Sequence, residues 1–232
     1  MIALSFALPE ESKGIVQRLS GAKRSGDAAL PVIAGRLGER EVMIVHAGMG
    51  MASATARLGN FLEAHAPSVL IAAGFGGGLA GDLKVGDIVI GRNFSDGSLL
   101  AAVGSLAART GGLVTTREVI ESALKKKDLA RHTGAIVADM ETAAIYRLCN
   151  ARGIPVLAVR AISDTADQDL PVPSAVWFDT ERQRPRPLPL LLHLATHPGR
   201  IAPFVHFVRG IHHAGARLTE FLLAALDALA EK

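Results

Sequence analysis

The sequence predicts an α/β fold, and three observations carry that expectation. Residues 137–167 read as strand, helix and strand in succession. Residues 2–8 form an apolar run that barely alternates, as a strand covered on both faces would. At 232 residues and 49% hydrophobic, the chain can bury a large core and fits one domain, with residues 168–232 as a helical C-terminal extension.

Taken in order, the first strand stops at Pro9, and Glu10, Glu11 and Ser12 open a helix that runs to Leu19. Residues 21–30 carry loop chemistry, and residues 31–38 and 41–47 read as a hairpin. Gly48-Met49-Gly50 follows, where two glycines let the backbone approach a ligand closely, and a helix begins at Ser53 and ends near His65. Met49 is either a ligand contact or a core side chain. Residues 69–73 form a strand that enters the glycine cluster Gly74-Phe75-Gly76-Gly77-Gly78. The spacing is wrong for a dinucleotide fingerprint, and no helix clearly opens after it. Residues 93–111 are weakly patterned, residues 113–116 read as a strand, and Lys125-Lys126-Lys127 is read as the wet face of a helix.

In the 137–167 unit an apolar run ends in Asp139-Met140-Glu141, and helical spacing then puts Ala144, Ile145, Leu148 and Cys149 on one face. Gly153 stops that helix, and the apolar run 156–162 ends in Ser163-Asp164. A crossover of this length predicts two parallel strands with Glu141 and Asp164 at their carboxyl ends, the edge where α/β sheets hold ligands. The local alternative is that Glu141 caps a helix and Asp164 closes a turn.

Composition narrows the function. The formal charge is +3, basic residues are scattered apart from 125–127 and 182–186, and aromatic content is 4%, which argues against a nucleic-acid surface with base-stacking platforms. A single cysteine, Cys149, cannot form an internal disulfide and suits a reducing, cytoplasmic compartment. The N-terminus has no basic leader and reads as a strand, and no apolar run reaches the length of a membrane span. His193 and His197 have i, i+4 spacing, but no acid lies between them and Pro198 ends the helix, so no metal is expected.

The strings DMETAA (139–144) and VRAISDTAD (159–167), together with GGL and LKVGDIVI (77–79 and 83–90), resemble those of the purine nucleoside phosphorylase and methylthioadenosine/S-adenosylhomocysteine nucleosidase superfamily. The resemblance implies a three-layer α/β/α fold with a mixed central sheet, an enzyme that cleaves the N-glycosidic bond of a purine nucleoside, and no cofactor. It implies that Asp139, Met140 and Glu141 grip the ribose, with Met49 as a further sugar contact. It makes Asp164 the group that protonates the purine, oriented by Ser163, and sets Val119 and Ile120 against the base. Glu11 matches the acid that activates water, although a first-turn helix acid explains it equally well locally. Gly74, Phe75 and Gly76 form the wall of an anion or sugar site. Where phosphorolytic relatives place a Ser and an upstream Arg for phosphate, this chain has Phe75 and Ala72. The acceptor, water or inorganic phosphate, therefore stays open.

From Asp167 onward the chain has a proline-studded connector, a Leu-rich helix, the turn His197-Pro198-Gly199 and another helix, before a closing helix at 218–229. This arrangement resembles phosphorylase-like proteins of hopanoid synthesis, which implies a lipid-tailed substrate, adenosylhopane, and contact with acidic lipid head groups at the inner membrane surface. Alternatively, these helices simply pack on the sheet or on a second subunit. Two other functions stay in view: a methylthioadenosine/S-adenosylhomocysteine nucleosidase, and a nucleoside-binding accessory protein without turnover. A homodimer is the default assembly.

Overall fold

A ten-stranded mixed sheet carries the chain, with helices on both faces, in a computed structural model that describes residues 1–25 and 30–229. Strand β1 (Ile2–Phe6) leads to α1 (Pro9–Val16), β2 (Ser20–Ser25), β3 (Val32–Leu37) and β4 (Arg40–His46). Helix α2 (Met51–Ala64) is followed by β5 (Val69–Gly78), β6 (Ile88–Gly91), α3 (Gly97–Val103), β7 (Arg109–Gly111) and β8 (Leu113–Thr115). Then come α4 (Ala123–Thr133), β9 (Val137–Asp139), α5 (Thr142–Asn150) and β10 (Val156–Asp164). The last part comprises α6 (Ser174–Trp177), a ribbon of β11 (Phe178–Asp179) and β12 (Arg184–Pro185), α7 (Pro187–Thr196) and α8 (Ile201–Ala228).

The sheet order is β2-β3-β4-β1-β5-β10-β6-β7. Strands β4, β1, β5 and β10 are parallel, β3 pairs antiparallel with both β4 and β2, and β6 pairs antiparallel with β10 but parallel with β7. All nine residues of β10 are buried, because helices cover both of its faces, and that is why its apolar run shows no alternation. On one face α1, α3 and α8 supply Ile15, Leu99, Leu218 and Leu222 to the core. On the other, α2 and α5 supply Leu58, Phe61, Ile145 and Cys149. Three layers and a mixed sheet are thus what the chain forms.

Local chemistry sets the helix ends. Pro9 begins α1 where a missing N–H costs nothing, and the Glu11 side chain accepts the Leu8 N–H. Ser122 caps α4 by accepting the Lys125 N–H at 3.3 Å, and Gly134 ends it at φ +67.

Four expectations are corrected. Residues 21–25 belong to β2 rather than to a loop; its six residues are all exposed, so the strand has no apolar face to announce it. Residues 26–29 of that expected loop lie outside the described residues. Helix α1 ends at Val16, short of Leu19, and the expected closing helix at 218–229 is the end of the 28-residue α8. Strands β9 and β10 are not parallel: β9 is a three-residue strand that pairs antiparallel with Gly77 and Gly78 of β5 and parallel with β8. The crossover rule fails because β9 hooks over the end of β5 instead of entering the sheet beside β10.

Candidate active site

The two acidic strings still meet, through Gly77. In the sheet register Gly77 stands opposite Ala138 of β9 on one side and Asp164 of β10 on the other. The cavity at this junction has a volume of about 180 Å³, and Glu11, Met49, Phe75, Met140, Glu141 and Asp164 all contribute to its wall. Gly76, Val119, Ile120 and Ser163 line it as well, so ten of the twelve sequence-predicted site residues border its free space without qualification. Asp139 and Gly74 need separate accounts.

Asp139 reaches the wall, but its carboxylate is committed elsewhere. Its Oδ2 accepts Arg160 Nε at 3.0 Å, Arg160 Nη2 at 2.5 Å, and both the backbone N–H and the hydroxyl of Thr142; its Oδ1 accepts the Thr115 hydroxyl at 2.7 Å. Arg160 Nη1 donates to Ala72 O and Val159 O. Both charges are buried, so this satisfied pair fixes the start of α5 against β10. Gly74 does not line the cavity; a Cβ there would lie 2.7 Å from Glu11 Oε1, so its bareness makes room for Glu11.

Glu11 is buried and accepts three backbone N–H groups: Ala7 and Leu8 on Oε2 at 2.8 and 2.9 Å, and Phe75 on Oε1 at 2.8 Å. Burial raises its pKa above the usual carboxylate value, and the three amides and Arg160 oppose the rise. Glu141 accepts the Gly50 N–H on Oε1 at 2.7 Å. Gly50 has φ +88, a conformation few L side chains adopt, which turns that N–H inward at the start of α2. Burial, and after it the Asp139 charge, push Glu141 up to about 8.

Asp164 shows a partner that the sequence did not reveal. Lys126, expected on a wet helix face, is buried at 1% exposure, and its Nζ lies 2.5 Å from Asp164 Oδ2. It also donates to the carbonyls of Thr165 and Gln168, both at 2.8 Å, so all three ammonium protons are used. The Ser163 hydroxyl donates to Asp164 Oδ1 at 2.6 Å. Lys126 shares a helix face with the half-buried Leu129 and Ala130, three and four residues on, and that spacing was the available signal.

Gln183, also missed, ties the C-terminal segment to the site. Its Oε1 accepts the Met49 N–H at 2.7 Å and its Nε2 donates to Met49 O at 2.9 Å. It is the one non-glycine residue with positive φ among the described residues, at +52. Leu170, Trp177, Phe207 and Ile211 add apolar wall to the cavity. Ser163, Asp164, Leu170 and Phe207 are shared with an adjoining lobe of about 530 Å³, which also touches Arg200, His206 and Arg209.

Among the described residues, no group of three or more His, Cys, Asp or Glu side chains is placed to hold a metal ion. The rings of His193 and His197 stack with centroids 4.4 Å apart. Burial pushes the Cys149 thiol up to about 12, which makes it a poor nucleophile.

The sheet topology and this paired-string cavity define a nucleoside phosphorylase-type fold. The profile of the phosphorylase superfamily matches residues 1–104 and 98–185, and the chain belongs to that superfamily. Among individual relatives, the 5'-methylthioadenosine/S-adenosylhomocysteine nucleosidase of Shewanella halifaxensis is 26% identical over 204 residues, 74% of this chain and 89% of that one. The enzyme of the same name from Shewanella piezotolerans is 26% identical over 211 residues, 77% and 90% of the two chains. The fold is similar to that of the S. pneumoniae nucleosidase with a transition-state inhibitor, at TM-score 0.75 and 22% identity over 98% of this chain and 99% of the other. It is also similar to the futalosine hydrolase of Helicobacter pylori, at TM-score 0.73 and 17% identity over 97% of each chain.

Proposed function

We propose that the protein cleaves the N-glycosidic bond of an adenine nucleoside bearing a large apolar 5' substituent, with adenosylhopane as the substrate and adenine as the released base in hopanoid synthesis. Superfamily membership and nucleosidase relatives support the bond cleaved. The observation that carries the substrate class is the apolar wall of Leu170, Trp177, Phe207 and Ile211, which belongs to the C-terminal segment and runs from Asp164 into a second lobe.

In this reading the ribose hydroxyls donate to Glu141, Met140 packs on the sugar, and positive charge grows on the sugar as the bond breaks. Asp164, oriented by Ser163 and Lys126, transfers a proton to the imidazole ring of adenine, which leaves neutral. Water adds to the sugar carbon and gives its proton to Glu11. Water is favoured over phosphate because Lys126 is the one Lys or Arg among the described residues that line the first cavity, and it is already bound to Asp164. The competing substrate is methylthioadenosine or S-adenosylhomocysteine, which the names of the relatives support.

The test is adenine release from adenosine, methylthioadenosine and a long-alkyl 5' analogue, each with and without phosphate. Phosphate-independent release that favours the alkyl analogue is expected. Preference for methylthioadenosine would transfer the protein to the competing reading, and dependence on phosphate would overturn water. Asp164→Asn should reduce kcat by about 10²–10⁴-fold.

A further inference from the structure

We propose that the exposed face of α7, with the first turns of α8, docks on an anionic lipid bilayer. Helix α7 has ten residues and none is buried. Leu188, Leu191, Leu192 and Ala195, spaced i, i+3, i+4 and i+7, make one exposed stripe, and the three leucines are 65%, 64% and 60% exposed. Ile201 and Val205 extend it onto α8 at 45% and 43%. These five are most of the seven exposed large hydrophobics among the described residues, so the apolar surface is concentrated here rather than scattered.

The charge around the stripe selects the occupant. From Arg182 to Thr219 the chain has six arginines and five histidines but no Asp or Glu. Arg184, Arg200 and Arg209 are exposed, and none has a carboxylate partner among the described residues. A second copy meeting this face through a two-fold axis would set arginines against arginines with no acid between them. Anionic head groups satisfy the arginines while the leucines enter the boundary between head groups and acyl chains, the arrangement of an interfacial helix. Helix α8 and the Arg200 that precedes it link this face to the site: Arg200, Pro203, His206 and Phe207 line the lobe that ends at Asp164. A docked protein would thereby open that lobe toward the lipid.

The docking does not require the proposed substrate, because binding is read without turnover. The full chain is sedimented with vesicles of phosphatidylcholine alone and of equal parts phosphatidylcholine and phosphatidylglycerol. Cosedimentation is expected with the anionic vesicles only, weakened by added salt and lowered about tenfold or more by the Leu191→Ser/Leu192→Ser variant and by Arg184→Ser/Arg200→Ser. A second reading guards against misfolded variants: Leu191→Cys carrying a polarity-sensitive dye should shift to the blue on those vesicles, and Leu124→Cys on α4 should not. No binding of the wild type, or a dye at position 191 that stays in water while the protein is bound, overturns the proposal. So does a dimer in solution that the Leu191→Ser/Leu192→Ser change dissociates, since a second copy would then own the face.

Discussion

At the scale of single residues, the site is a set of buried charges whose partners decide what each can do. Asp139 is consumed by Arg160 and Thr142, Glu11 by three amides, and Glu141 by only one, which leaves Glu141 as the carboxylate with most capacity for a ligand. Asp164 depends on Lys126. Lys126→Met removes the ammonium and strips the Thr165 and Gln168 carbonyls of their donor. As Lys126 acts through Asp164, kcat should fall by about tenfold or more with KM little changed. Separate kcat and KM values from steady-state kinetics check this, with Lys126→Arg expected to recover part of the loss. A loss of kcat that Lys126→Arg does not recover, and that comes with an equal loss of thermal stability, would mean that Lys126 only supports the fold. The strings around Glu141 and Asp164 were legible because each lies in one continuous stretch. Lys126 and Gln183 were not, because each meets its partner only after the chain has travelled through other elements, and local sequence carries no record of that meeting.

At the scale of elements, α1 and α8 meet closely at a glycine. Gly14 sits inside α1, where Ala would normally be the better helix former by about 0.5–1 kcal/mol. A Cβ there would lie 2.1 Å from Thr219 Oγ1 on α8, far inside contact distance. Thr219 is fixed in turn by donating to Gly215 O at 2.8 Å. Gly14→Ala should therefore destabilise by about 1–3 kcal/mol, an overpacking penalty that outweighs the gain in propensity. Thr219→Ala in the same chain should recover most of it, and thermal melts of the four members of the cycle measure the coupling. A Gly14→Ala protein as stable as the wild type would show that the two helices can separate freely. The same logic explains what could be read of the elements. Strands β1, β5 and β10, covered on both faces, announce themselves as apolar runs; β2, wet on both faces, does not. The direction of β9 was misjudged because a crossover rule assumes both strands enter the sheet as neighbours, and β9 instead pairs with the glycine end of β5.

At the scale of the whole molecule, two raised carboxylates make stability fall with rising pH. Burial raises Glu11 above 4.5 and carries Glu141 from 4.5 to about 8. Below pH 4.5 both are protonated, folded or unfolded, and contribute no slope. Between 4.5 and about 8 the folded protein keeps the Glu141 proton that the unfolded chain releases, so stability declines across that window. The slope is at most about 1.4 kcal/mol per pH unit for each such group. His46 works in the opposite sense at the acid end: burial lowers its pKa from 6.5, so the unfolded chain takes up the proton first and stability falls as pH drops through that range. Subtracting the Tm profile of Glu141→Gln from that of the wild type cancels His46 and should leave the Glu141 slope alone. A non-cleavable nucleoside analogue adds the functional half of the argument. If its ribose hydroxyls donate to the ionised Glu141, binding must expel the proton below about pH 8, so the rise in Tm it produces should grow with pH up to that point and be flat in Glu141→Gln. An analogue that stabilises the wild type equally at every pH would place its ribose somewhere other than against Glu141.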